Sequence, residues 1–137
     1  MIGILLDNLN VPWVEHIYRL AEKMDVCLFV NNYGNIDVSS RIALVSSSYI
    51  WSFDGTMIAA DTFSARYLYE CPIPSRKLFY INSVDWNRGF LASDTLKAAS
   101  LELVAEPGLA EIVRSVWGPT KIVRNWHYES LQRALSI

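Results

Sequence analysis

Side chains able to do chemistry recur in one kind of place in this sequence, directly after short apolar runs. Asp7, Asn8 and Asn10 follow the run IGILL, Asn31 and Asn32 follow VCLFV, and Ser46, Ser47 and Ser48 follow IALV. Asp61 and Thr62 follow TMIAA, and Asn82, Ser83, Asp85 and Trp86 follow KLFYI. Glu106 follows LELVA, and Asn125, Trp126 and His127 follow TKIV. If the runs are parallel strands of one sheet, all these residues lie along its carboxyl rim, where open α/β sheets bind ligands. Asn8, Asn10, Ser46, Thr62, Asn82, Trp86, Glu106, Asn125 and His127 are then the ligand-binding candidates. An indole at such a rim offers a flat apolar face for a sugar or a base. Trp86 and Trp126 are equally suited to covering the ends of the core. His127 is a candidate proton carrier, or simply opens the last helix.

The elements that would position these groups follow from hydrophobic period. IGILLD (2–7) and DVCLFV (25–30) are unbroken apolar runs, as expected of strands covered on both faces. Between them NVPWVEHIYRLAEKM (10–24) repeats its apolar residues at helical spacing, with Asn10 as cap and Pro12 in the first turn. A βαβ unit with parallel strands results. RIALVS (41–46) is a third strand, and its serines cap a short helical turn through YIW. The Asp54-Gly55 pair is read as a turn into a fourth interior strand, TMIAA, rather than as a hairpin. Asp61 then caps a helix over 61–71 whose inner face begins with Phe63 and Tyr67. KLFYIN (77–82), LELVAE (101–106) and TKIVRN (120–125) are further strands. The helix over 107–118 is expected to turn Leu109, Ile112, Val113 and Val116 inward and to stop at Gly118. HYESLQRALS (127–136) closes the chain. Strands alternating with helices imply a mainly parallel sheet of six to seven strands in a three-layer Rossmann-like α/β fold. The length of 137 residues suits one domain.

Composition narrows the class. At 52% hydrophobic and 19% charged residues the chain carries enough apolar surface for a packed core, which argues against disorder. A net charge of −2 with no basic run argues against nucleic acid. No apolar stretch is long enough to cross a bilayer, and MIGILLD, lacking a basic start and a small-residue cleavage site, reads as a strand and not a signal peptide. Cys27 and Cys71 read as buried thiols of a reducing, cytoplasmic compartment. After the first strand DNLNVP has no glycine-rich fingerprint for a dinucleotide, and there is neither a phosphate-binding P-loop nor a nucleophile elbow. No cofactor is expected. Cysteine and histidine spacing shows no metal motif. Asp7, Asp61 and Asp85 form the one carboxylate set that would suit a divalent cation.

In its order of elements the chain resembles the N-terminal Rossmann-like domain of the GT-B glycosyltransferases, as in short phage-encoded glycosyltransferase-like proteins. The likeness is carried by FDGTMIAADTFSARYL (53–68), PSRKLFYINSVDW (74–86) and LELVAEPGLAEIVRSVWGPTKIVRNWH (101–127). It implies a cleft at the strand ends that receives a nucleotide-sugar or glycan, with Asp7, Asp61 or Asp85 as general base. It also implies a donor domain missing from this chain, supplied by a homodimer or a separately encoded partner. The alternative expectation is a non-catalytic Rossmann-like interaction module, such as a viral accessory protein. An exposed apolar patch involving Trp13, Trp51 or Trp117 would favour that alternative.

Overall fold

The computed structural model describes residues 1–8, 11–32, 42–82 and 92–136, with the backbone alone at 11–13 and 92–95. The strands are β1 (Ile2–Asn8), β2 (Val26–Asn32), β3 (Ala43–Ser46), β4 (Thr56–Ala59), β5 (Lys77–Ile81), β6 (Glu102–Ala105) and β7 (Thr120–Ile122). The helices are α1 (Val11–Ala21), α2 (Thr62–Glu70), α3 (Ala92–Ala99), α4 (Pro107–Trp117) and α5 (Tyr128–Leu135), with a 3-10 helix at Ser47–Ser52. All seven strands join one parallel sheet in the order β3-β2-β1-β4-β5-β6-β7. This is the three-layer Rossmann-like α/β architecture that the alternation of runs predicts. Strand order reverses between β1 and β4, which makes their carboxyl ends the switch point of the sheet.

Two apolar layers hold the sheet. One face, with Ile4, Leu6, Leu28, Ile58, Leu78, Tyr80 and Val104, packs against α1 and α5 through Ile17, Leu20 and Leu131. The other, with Leu5, Phe29, Met57, Phe79 and Leu103, packs against Ile50 of the 3-10 helix and against α2, α3 and α4. Adjacent residues of one strand, such as Ile4 and Leu5, thus enter opposite layers, and both are fully buried. That is why the parallel strands read as unbroken apolar runs. Gly3 lies where β1 passes closest to its neighbours, since a Cβ there would stand 2.4 Å from Met57 Sδ.

Several local expectations are corrected. Ile112 and Val116 are 51% and 65% exposed, so they do not face the sheet. α4 instead buries Ala110 and Val113, with Leu109 and Trp117 packed beside them. Leu109 and Val113 keep their expected places, while Ala110 and Trp117 take those expected of Ile112 and Val116. Phe63 is exposed, with Arg66 stacked 5.0 Å from its ring centroid, and Ala65 and Leu68 form the inner face of α2. β7 covers three residues, because after Ile122 the chain leaves the sheet. At the other edge of the sheet Arg76 forms a bidentate ion pair with Glu102 and donates to the Leu135 carbonyl. Lys121 joins the same carboxylate at 2.8 Å and donates to Ala134 O at 2.9 Å. This network fastens the C-terminus of α5 beneath β5, β6 and β7. No helix of the described residues is long and apolar enough to cross a membrane.

Candidate functional site

At the switch point the chain joins four elements through polar groups. Asp61 caps α2 from the end of β4: its Oδ1 accepts the Ser64 N–H at 2.7 Å, and its Oδ2 accepts Ser64 Oγ at 3.1 Å. Oδ2 also accepts the Asp7 backbone N–H at 2.9 Å, tying the end of β1 to the start of α2. Burial pushes the Asp61 carboxyl above the ordinary aspartate range, against the lowering effect of these hydrogen bonds. Its two oxygens together accept three hydrogen bonds from the fold, two of them from backbone N–H groups. Asp61 is therefore a positioning group rather than a free base.

Asp7 is the group that Asp61 positions. Its Oδ1 accepts Asn31 Nδ2 at 3.1 Å and its Oδ2 accepts Asn8 Nδ2 at 3.1 Å. Ser47 donates to Asn31 Oδ1, which orients the amide so that its NH2 faces Asp7. Ser47 is buried at the start of the 3-10 helix, and Ser46 caps that helix through Ser48 N–H at 3.4 Å. The relay runs from β3 through β2 to β1. Asp7 is half-buried while Asn8 and Asn31 are exposed, so the array reaches solvent. A carboxylate has about four lone-pair sites, and two amides leave it able to accept further donors. The array suits a ligand rich in hydroxyl or N–H groups and repels an anion.

A second polar cluster centres on the end of β6, three strands and about 14 Å from β1 at the usual strand spacing. Glu106 accepts the Tyr80 hydroxyl and takes the Asn125 N–H on both oxygens, at 2.9 and 3.2 Å. Tyr80 Oη also accepts the Trp126 N–H at 3.2 Å and lies 3.2 Å from Val123 O. The Tyr80 and Trp126 rings stack at 4.3 Å with 8° between planes. Burial first, then Glu106, pushes the Tyr80 phenol far above the ordinary tyrosine range. Trp126 is thus buried core and not a rim platform. Asn125 and Trp126 adopt left-handed backbone at φ 48° and 57°, and Glu106 and Tyr80 hold them there.

Of the sequence candidates, Asp7, Asn8 and Asp61 are brought together, and so are Glu106 and Asn125. Ser46 stands near the first group as a helix cap. His127 is exposed at the start of α5 and makes no side-chain cap bond. Asn82 is exposed at the end of β5, whereas Thr62 is fully buried and presents no surface to a ligand. Asn10, Asp85 and Trp86 lie outside the described residues. The carboxylate trio of Asp7, Asp61 and Asp85 is therefore described only at its first two members, and among the described residues no three His, Cys, Asp or Glu side chains converge on a metal position. Asn31 and Ser47, placed on the rim by the sequence but not among its ligand-binding candidates, are the residues that the structure adds to the site. Their signal was the polar stop after each apolar run. No family model, curated protein or solved structure matches the chain.

Proposed function

We propose that this chain is a glycosyltransferase-like binding domain that takes the hydroxyl-rich part of a glycan or nucleotide-sugar at the end of β1. The observation that carries the reading is the Asp7 carboxylate, oriented by Asn8 and Asn31 at the switch point and open to further donors. Sugar hydroxyls are donors that such an acceptor array recognises, and charge-assisted bonds of this kind are the stronger ones. Asp7 is the general base of this reading, because Asp61 is committed to the α2 cap. Transfer requires a donor half from a second copy or a separately encoded partner.

The test is a thermal-shift screen of sugars, nucleotides and nucleotide-sugars against the wild type, Asp7→Asn, Asp85→Ala and Trp86→Ala. A ligand that binds only the folded state raises the melting temperature by mass action. A shift for one sugar-bearing ligand that disappears in Asp7→Asn supports the reading. A silent panel, with all variants folded, refutes it. The interaction-module reading is favoured by one observation, the aromatic surface of Tyr49 and Trp51, which are 61% and 57% exposed on the 3-10 helix. Silence in the ligand screen would leave that surface as the better starting point.

A further inference from the structure

The basic residues are distributed unevenly with respect to their partners. Among the described residues Arg66, Arg76, Lys97 and Lys121 pair with carboxylates. Lys77 and Arg114 donate to backbone carbonyls. The others, Arg19, Lys23, Arg124 and Arg133, form no ion pair with a described residue, Arg133 donating only its Nε to Glu129 O at 3.4 Å, and all four line two adjoining cavities at the β7–α5 turn. The first cavity, about 550 Å³, is lined by Ile122, Arg124, His127, Ser130 and Arg133, with no carboxylate among them. The second, about 430 Å³, shares Arg124 and His127 and adds Arg19 and Lys23, against Glu22 and Glu129. Four cations against two carboxylates make a local positive surplus in a chain of net charge −2.

The turn that presents Arg124 and His127 is held in an expensive conformation. Two consecutive non-glycine residues with positive φ, one of them a tryptophan, persist only where the surroundings over-determine them. Here the Glu106 carboxylate, the Tyr80 hydroxyl and the Tyr80–Trp126 stack do so. His127 N–H donates to Arg124 O at 2.7 Å and closes the turn. The result is a rigid frame behind flexible cationic side chains. A guanidinium matches phosphate oxygens with two parallel donors. The first turn of α5 begins at the same place without a side-chain cap; Glu129 in that turn offsets part of the positive charge of the helix N-terminus and lines the second cavity, not the first.

We propose that the groove beside the β7–α5 turn binds a phosphate-bearing small molecule, with its phosphate held by Arg124, Arg133 and Ser130. A cavity of about 550 Å³ falls in the range of small-molecule sites, so the phosphate carries a further moiety. The site is independent of the acceptor array at Asp7, which would repel an anion, and either assignment can fail alone.

The test is calorimetric titration of the full chain with inorganic pyrophosphate at low ionic strength. The proteins compared are the wild type, Arg124→Ala, Arg133→Ala and the distant control Arg66→Ala. Loss of a charge-assisted donor pair should weaken binding at least about tenfold in each groove variant and leave Arg66→Ala unchanged. Amide NMR shifts of the wild type under the same titration should concentrate between residues 124 and 133, a readout that needs no variant. A nucleoside diphosphate that binds at least about tenfold tighter than pyrophosphate would identify a nucleotide as the ligand. Equal affinity would identify the phosphate itself as the recognised group. Absence of binding, equal weakening in Arg66→Ala, or shifts scattered over the surface would overturn the proposal.

Discussion

Replacing Glu102 by Gln should loosen the clasp between α5 and the sheet, and the loss should vanish in acid. Glu102 takes Arg76 Nε at 2.7 Å and Lys121 Nζ at 2.8 Å, and those two cations also hold the last carbonyls of α5. Arg76 above all lowers the Glu102 carboxyl from 4.5 to about 2, against the opposing effect of burial and with further help from Lys121. At roughly 1.4 kcal/mol per pH unit, that depression corresponds to a ceiling of about 3 kcal/mol. The side chain is 31% exposed, so solvent screening reduces the expected contribution to about 1–2 kcal/mol. Because the folded value is depressed, this stability is complete above the unfolded value of 4.5 and is lost as pH falls through about 2. Urea unfolding of wild type and Glu102→Gln at pH 7 should therefore differ by about 1–2 kcal/mol. The gap should close as the wild-type carboxyl protonates towards about pH 2. A gap of the same size in acid would assign the loss to packing and refute the electrostatic account. No gap at neutral pH would show that the clasp contributes nothing.

Asp61→Ala should cost about 1–2 kcal/mol in urea unfolding through the lost α2 cap, with more from the stranded Asp7 N–H. Asp61→Asn should cost less, since an amide oxygen still caps Ser64. Its pH dependence should oppose that of Glu102: the folded value is raised, so the Asp61 contribution is complete below 3.8 and is lost as pH rises through the folded value. The slope above 3.8 should therefore flatten in Asp61→Asn, and an unchanged slope in paired stability profiles would contradict the buried-carboxyl assignment. Tyr80→Phe should cost about 1–3 kcal/mol, because Glu106 and the Trp126 N–H both lose a buried partner. Near-ultraviolet circular dichroism should report the loosened Trp126 stack, and a variant as stable as wild type would show that the hydroxyl does not hold the turn.

Much of the architecture was legible because parallel strands bury both faces. IGILLD and VCLFV need no long-range information to be recognised as interior strands, and Asp61 announces a helix start by its type and place. Gly118 likewise ends α4 where the sequence predicts, at φ 111°. Helix phase was harder. α4 carries apolar residues over more than one face; Leu109 and Val113 face inward as expected, and only packing on the sheet selected Ala110 and Trp117 over Ile112 and Val116. No local rule distinguishes those stripes, since both have the same period.

The site divides in the same way. Chain order alone placed Asp7, Asn8, Ser46, Asp61 and Glu106 at strand ends. The tertiary structure decided what each does there, because the decisive bonds span long stretches of chain: 24 residues from Asn31 to Asp7, 54 from Asp7 to Asp61 and 46 from Trp126 to Tyr80. Trp126 and Asn125 look like rim residues in the sequence, yet a tyrosine hydroxyl from β5 and a carboxylate from the end of β6 hold them in a left-handed turn. The gathering of Arg19, Lys23, Arg124 and Arg133 at that turn has no local signature either. Residue type and period specify which face of each element is buried; which polar groups meet depends on the packed sheet.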